Sequence, residues 1–342
     1  MLFRSNAGAT GSAFDNISIT NNTVTGTNGD GIQFLAINPI GSPSTVNNLL
    51  IDSNTVTGNG SNGLNLNVNS ATMANLSTTN NTFDNNTTDG MTFNLNRSSI
   101  SGWTGTGSAS DNGVDGLVVN LQGTSSVTNA TFTNMTFDRN GADGVRFQTL
   151  DATTSTIGSA IAPITFVGGS ISDNGRLVAG SGVDLNSVGN GSVANLIFNN
   201  VAIDNNLPNN SQQNGLLYTI ASTGGTVNAA FTGGSISNNA VDAINGTING
   251  TGVANGSSST ISLTGTTADG SGSTGALFTV NNAGKLTLNV QDNGGAASSI
   301  SGSGADGIQI NAAGLNTQVA ATILNSDILN NGANVLAASR NG

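Results

Sequence analysis

The sequence predicts an all-β fold in which short strands wind into a solenoid of about eleven coils. Strong helix formers are scarce, since the 342 residues include 48 Gly and no Glu. Asn, Asp and Gly, which favour turns, separate short runs of Thr, Val, Ile and Phe, which favour strands. The same pattern returns roughly every 31 residues, and a period of about 20–50 residues is typical of solenoids.

Each repeat contains three short strands. The pattern is shared by residues 17–34, 49–66, 76–93 and 127–147. In the last of these, alternation places Ala130 and Phe132 on one face of the first strand. Phe137 then points inward from the second strand, and Val145 and Phe147 point inward from the third. Stacking equivalent strands of successive repeats predicts three short parallel sheets around one core.

Two columns of residues mark the bends of each coil. Asn and Gly tolerate positive φ best, so a column in which they replace each other predicts a left-handed bend after the first strand. Its members are Asn21, Ser53, Asn80, Asn134, Gly168, Asn200, Gly233, Gly265 and Asn325. An Asp-Gly or Asn-Gly turn before the third strand supplies Gly31, Gly63, Gly90, Gly116, Gly144, Gly182, Gly215, Gly275 and Gly307.

These repeats predict one domain over residues 1–342, which we interpret as a segment of a longer repeat protein. We expect irregular coils near 97–114 and 291–302, and loop insertions at 149–163, 176–181 and 206–214. Neither end carries an evident charged cap. Neighbouring repeats or an end-to-end partner are therefore expected to cover the end coils.

Composition excludes several classes of function. The net charge of -11, with only seven scattered Lys and Arg residues, argues against nucleic-acid binding. No apolar run approaches the roughly 18 residues of a membrane span. The absence of Cys excludes disulfides and thiolate metal sites, and the absence of His removes the usual base for a serine nucleophile.

The pattern N-x-T-[VIF]-x-x-[NG]-x-x-[DN]-G-[ILV]-x-[FL] over about residues 14–339 resembles the parallel β-helix repeat of the pectate-lyase-like superfamily. It is also similar to repeat-rich surface and secreted proteins of bacteria. This resemblance implies a single right-handed parallel β-helix at the cell surface or outside the cell. Asn80, Asn134 and Asn200 resemble the asparagine ladder at the short bend of such helices.

The resemblance leaves two functions open. One is a non-enzymatic stalk, matrix component, adhesin or scaffold that binds carbohydrate or another partner. The alternative is a polysaccharide lyase or glycoside hydrolase, for which Asp138, Arg139, Asp143 and Arg146 are the closest approach to basic residues beside acidic ones. The chain lacks both the His and the Asp-Asp pair expected of a polygalacturonase. The two arginines could equally be charge partners of the Asp columns.

Calcium is the only cofactor that the sequence suggests. Asp89, Asp115 and Asp143 precede the third strand in consecutive coils, so their carboxylates would lie about 5 Å apart. A calcium ion would relieve their repulsion. Alternatively, each carboxylate accepts hydrogen bonds from the amides of its own turn.

Two further sets of residues have candidate roles. Asp84, Asp138, Asp173 and Asp204 follow the second strand. They could provide the acid and base of a glycosidase, or could simply be solvated strand ends. Trp103 lies in the irregular coil and, if exposed, would be a platform for a sugar ring, whereas Tyr218 falls in a core column.

Overall fold

The computed structural model describes residues 1–6, 13–37, 43–151, 153–187, 191–206, 212–220, 224–250 and 257–341. These residues form strands and turns, with no helix among them. All the named strands pair in parallel. The predicted all-β solenoid is confirmed.

The first half of the chain contains β1 (Leu2–Asn6), β2 (Ala13–Asp15), β3 (Ser18–Thr20), β4 (Thr23–Thr25), β5 (Ile32–Ile37), β6 (Ser44–Asn47), β7 (Leu50–Asp52), β8 (Thr55–Thr57), β9 (Leu64–Asn69), β10 (Ala71–Thr82), β11 (Met91–Asn96), β12 (Ser99–Ser108), β13 (Leu117–Gln122), β14 (Ser126–Thr133), β15 (Val145–Thr149), β16 (Thr156–Ile157) and β17 (Ile164–Val167). The second half contains β18 (Gly180–Ser187), β19 (Val193–Asn199), β20 (Gln212–Ile220), β21 (Thr226–Thr232), β22 (Asp242–Asn249), β23 (Ser258–Thr264), β24 (Ala276–Asn281), β25 (Lys285–Gln291), β26 (Ile308–Ala313), β27 (Gln318–Leu324) and β28 (Leu336–Asn341).

The described strands form two sheets. Sheet 1 has twelve strands in the order β1-β5-β9-β11-β13-β15-β18-β20-β22-β24-β26-β28. Sheet 2 has the main order β2-β6-β10-β12-β14-β16-β19-β21-β23-β25-β27, with β3, β4, β7, β8 and β17 beside that path. Each strand pairs with its equivalents in the coils before and after, so the coils stack along one axis.

The predicted third sheet is reduced to a row of single bridges in most coils. The row includes Thr136↔Ser170 and Ser170↔Ala202. Left-handed residues flank this short segment on both sides, as at Asn134 (φ 48°) and Arg139 (φ 55°). Four residues between two bends leave room for one bridging residue, which is why the second strand rarely extends.

The predicted left-handed column is confirmed at all nine positions, with φ between 47° and 63°. The side chains of Asn80, Asn134 and Asn200 are nevertheless exposed. The continuous side-chain ladder lies at the next corner and is buried, at Asn59, Asn86, Asn112, Asn140, Asn174, Gln212 and Asn239. Within it, the backbone N–H and Nδ2 of Asn112 both donate to Oδ1 of Asn140, at 3.0 and 3.2 Å.

The core contains a stack of aromatic rings in the middle coils. The ring centroids of Phe166 and Phe198 are 5.1 Å apart, and those of Phe198 and Phe231 are 4.7 Å apart, with nearly parallel planes. Trp103 packs in the same core, 4.8 Å from Phe132. Because equivalent side chains meet coil after coil, one strand column produces one continuous stack.

The expected irregular segments are largely built into the sheets. Within 97–114, β12 pairs with both neighbouring coils. The span 149–163 contains β16, and β18 begins inside 176–181. In 206–214, Gln212 begins β20 and is buried, whereas residues 207–211 lie outside the described part. In 291–302, β25 ends at Gln291 and Ser299 re-enters the row of bridges.

The glycine column serves the close approach of successive coils. A Cβ on Gly116 would lie 2.5 Å from the carbonyl oxygen of Gly144 in the next coil. A Cβ on Gly275 would lie at the same distance from the carbonyl oxygen of Gly307. Neither residue has a positive φ, so the requirement at these positions is space rather than backbone conformation.

Candidate functional site

The candidate site is the acidic corner that precedes sheet 1, where Asp89, Asp115 and Asp143 come just before β11, β13 and β15. Oδ1 of Asp89 accepts the N–H of Asp115 at 3.1 Å, and Oδ1 of Asp115 accepts the N–H of Asp143 at 2.8 Å. Oδ1 of Asp143 accepts the N–H of Ser181 at 2.7 Å. The amides come from the next coil, not from the turn that carries each carboxylate.

The second carboxylate oxygens are also engaged. Thr92 donates its hydroxyl to Oδ2 of Asp89 at 2.7 Å, and Arg146 lies against Oδ2 of Asp115. Within the described residues, no group of three or more acidic side chains is arranged to hold a metal ion. The repulsion expected in this column is therefore offset by N–H donors, Thr92 and Arg146, and calcium at Asp89, Asp115 and Asp143 stays a prediction.

Arg146 joins three coils on the outer face of sheet 1. Its Nη2 lies 2.8 Å from Oδ2 of Asp115, in an orientation that gives an ion pair without an aligned hydrogen bond. The Asp115 side chain is 0% exposed and the Arg146 side chain is 29% exposed. Val118 and Asp184 are the register neighbours of Arg146 on β13 and β18. One cation thus sits among several carboxylates.

The pKa values of these carboxyls reflect their burial. Burial raises the pKa of Asp115 to about 7, although Arg146 opposes the shift. Burial, with repulsion from Asp184, raises the pKa of Asp143 to about 6. Burial also raises the pKa of Asp184 to about 6, against the effect of Arg146. One arginine therefore does not compensate the loss of water around three carboxyls.

Asp138 and Arg139, the other two candidate catalytic residues, lie at a different corner of the coil. Arg139 donates from Nε and Nη2 to the two carboxylate oxygens of Asp111, at 3.1 and 2.7 Å. Arg176 adds a contact of 3.2 Å to the same carboxylate. The four expected residues therefore lie in two separate places, Asp138 and Arg139 in one and Asp143 and Arg146 in the other. Both arginines pair with an Asp one coil away.

Asp138 belongs to a column in which aspartate and serine alternate coil by coil. Its members are Asp84, Ser110, Asp138, Ser172, Asp204, Ser237, Asp269 and Ser301. Oδ1 of Asp138 accepts the N–H of Ser172 at 2.8 Å, and Oδ2 accepts the hydroxyl of Ser170 at 2.6 Å. Asp204, not Asp173, continues this column. The sequence signal for this column was a Ser-x-Ser motif in the coil that follows each of its aspartates.

Trp103 is fully buried, and its indole N–H donates to Oγ1 of Thr78 at 2.9 Å. The expectation of an exposed sugar platform there is wrong. The left-handed Gly102 (φ 71°) interrupts the alternation of β12, so that both Ile100 and Trp103 are buried. Tyr218 is also in the core, as expected, and its phenol oxygen accepts a hydrogen bond from the hydroxyl of Ser259 at 2.9 Å.

Sequence reasoning missed a groove on the outer face of sheet 1. Its volume is about 310 Å³ and it is lined by stacked amides, with Leu35 and Leu150 among its walls. Nδ2 of Asn94 donates to Oδ1 of Asn67 at 2.9 Å, and Nδ2 of Asn120 donates to Oδ1 of Asn94 at 2.7 Å. The alternating Asn residues of β9 and β11 were the available signal.

The two parts of this face differ in what they can do chemically. The acidic corner holds its carboxylates in contacts between coils, and Asp115 is closed to solvent. The groove presents repeated amide donors and acceptors to solvent at the spacing of the coils. The arrangement therefore suits binding of a hydroxyl-rich ligand better than proton transfer to one.

Comparisons with protein-family models, with curated proteins and with solved structures found no match. In the part of the chain that the structure describes, no helix has the length and apolar character of a membrane span.

Proposed function

We propose that this chain is a non-enzymatic structural or adhesive β-solenoid of a bacterial surface or secreted protein, and that it binds carbohydrate along sheet 1. The supporting observation is that the candidate catalytic side chains are engaged between coils. Asp115 is buried beneath its ion pair with Arg146, and Asp138 has both oxygens bound by serines. A catalytic acid or base needs access to the reacting atoms.

The groove supports the binding part of the proposal. Its amides hydrogen-bond along the solenoid axis, and each keeps capacity for a ligand at the surface. Leu35 and Leu150 provide apolar contacts beside them. A polysaccharide, which alternates hydroxyl groups with C–H surfaces, matches this combination.

Binding is tested by retention of the protein on immobilised neutral and acidic polysaccharides. Asn120→Ala, within the groove, should weaken retention at least about tenfold, the effect of losing roughly 1.4 kcal/mol. Asn311→Ala is the matched control, because Asn311 lies on the outer face of sheet 1 beyond the groove. Equal retention of both variants would contradict binding in the groove.

The enzyme alternative rests on one observation, the pKa of Asp115 of about 7 beside Arg146. Product analysis after incubation with the same polysaccharides, with and without calcium, tests it. The structural proposal expects no product. Release of unsaturated or reducing ends that is lost in Arg146→Ala, and retained in Arg97→Ala, would establish the enzyme.

A further inference from the structure

The outer face of sheet 2 changes character in the second half of the chain. β19, β21, β23 and β25 each have seven residues, and none contains a residue with positive φ. In the first half, left-handed residues such as Asn75 and Asn129 bend β10 and β14. The later strands therefore present a flat face, where the earlier ones present a bent one.

This flat face is almost uncharged. Lys285 is the only charged residue in the four strands, while the whole chain has a net charge of -11. Most of the aspartates lie at the corners of the coils instead, and Asp184 lies on sheet 1. A second copy of so acidic a chain would meet the least electrostatic repulsion over this face.

A projecting hairpin stands beside the face. The N–H of Ser159 donates to the carbonyl of Ala162 at 2.9 Å, and the N–H of Ala162 donates back at 3.2 Å. Nδ2 of Asn195 holds the base of the hairpin through the carbonyl of Gly158, at 3.0 Å. The tip residue, Ile161, is 97% exposed. A fixed turn thus holds an apolar side chain in water.

A groove of about 140 Å³ runs along the foot of the hairpin. Ser159 and Pro163 are in its wall, and its floor includes Ile197, Asn228 and Ala230 of the flat face. The hairpin that carries Ile161 and the groove therefore belong to one surface. A two-fold axis can place Ile161 of each copy in the groove of the other copy, as an isologous interface requires.

We propose that this flat face binds a second copy of the chain, with Ile161 of each copy inserted in the groove beside Ala230 of the other. Four strands spaced about 4.8 Å apart and seven residues long give roughly 440 Å² of flat face per copy before the hairpin is added. An interface of that size forms a weak dimer that dissociates on dilution.

Sedimentation from about 1 µM to about 1 mM protein tests the dimer. The wild-type chain should pass from monomer to dimer, without larger species. Ile161→Asp and Ala230→Arg should each raise the dissociation constant at least about tenfold. The control Leu177→Asp changes another exposed apolar residue, 67% exposed, outside this face, and should leave the constant unchanged. A monomer throughout, or a dimer insensitive to Ile161→Asp, would overturn the proposal.

Cross-linking tests the contact itself, and the absence of native Cys makes it specific. An equimolar mixture of Ile161→Cys and Ala230→Cys, treated with a short bismaleimide, should yield the mixed dimer at least about tenfold faster than Leu177→Cys with Ala230→Cys. Equal rates for the two mixtures would contradict insertion of the hairpin. Variants that elute and melt like the wild-type chain exclude misfolding as the cause.

Discussion

The middle coils and the C-terminal coils share one backbone path but fill its buried corner differently. From Asn59 to Asn239 the corner holds a continuous ladder of amide side chains. In the next two coils, before Asn331, Ser271 and Ser303 take those positions, and their hydroxyls make no hydrogen bond within the described part of the chain. The coil thus forms with or without the side-chain ladder, which shows that backbone pairing and apolar packing define the path.

The cores of the two regions also differ, because the middle coils stack aromatic side chains where the C-terminal coils have aliphatic ones. Phe198 and Phe231 stack in the middle coils, and Leu263 and Val290 continue that column toward the C-terminus. Stacked rings add about 0.5–1.5 kcal/mol per pair beyond the area they bury. The middle coils should therefore be the more stable part, and single substitutions can test that difference.

The largest effect is expected at the centre of the aromatic stack. Phe198→Ala should lower the free energy of unfolding by about 3–5 kcal/mol, because it leaves a cavity and removes two ring contacts. Denaturant unfolding with hydrogen exchange of the neighbouring coils measures it. Leu263→Ala is the comparison in the C-terminal coils. If Leu263→Ala lowered the free energy of unfolding more than Phe198→Ala, the C-terminal coils would be the more stable region.

The amide ladder should give the next largest difference. Asn112→Ala removes the acceptor of the backbone N–H and Nδ2 of Asn86, and one of the two donors to Oδ1 of Asn140, and should cost about 2–4 kcal/mol. Ser271→Ala removes a hydroxyl that makes no hydrogen bond in the described structure, and should change stability by less than about 0.5 kcal/mol. Equal losses in denaturant unfolding would mean that the serine coils are satisfied in another way.

The glycine column should not distinguish the two regions. Gly116→Ala and Gly275→Ala place a Cβ equally close to the next coil, so both should lose about 1–3 kcal/mol through overpacking. Gly29→Ala is the control, since its Cβ would meet nothing within 4 Å and its φ is not positive. Thermal unfolding measures all three. A neutral Gly116→Ala would show that the coils can separate without cost.

A further difference concerns pH and belongs to the middle coils. Burial raises the pKa of Asp115 to about 7 and of Asp143 to about 6. Between the ordinary value of 3.8 and about 7 the folded chain therefore binds more protons than the unfolded chain. Stability should fall as the pH rises from about 4 to about 7, seen as a lower melting temperature in circular dichroism.

Substitution identifies the source of that pH dependence. Asp115→Asn keeps an oxygen that can accept the Asp143 N–H and should flatten the dependence. Asp52→Asn is the control, because hydrogen bonds, first from Thr79, hold the pKa of Asp52 below 3.8. Its contribution is lost only as the pH falls below that value. A flat melting profile in the wild-type chain would contradict the burial argument.

The sequence predicted the repeating backbone well because each coil repeats its own constraints. The left-handed column from Asn21 to Asn325 and the inward Phe132 and Phe147 follow from local residue preferences. Contacts between coils were harder to predict. Whether Arg146 meets Asp143 or Asp115 depends on which coil lies beside it, and the burial of Trp103 depends on packing against Thr78 and Phe132 of the neighbouring coils. Neither is decided by neighbours in the sequence.

The alternation of Asp and Ser between Asp84 and Ser301 limits how such a chain can lengthen in evolution. Adding one coil within that column would set two aspartates, or two serines, side by side, and two neighbouring carboxylates would then lie one coil apart instead of two. Adding two coils would preserve the alternation. A designer who extends the rod two coils at a time would therefore keep carboxylates in alternate coils along this corner.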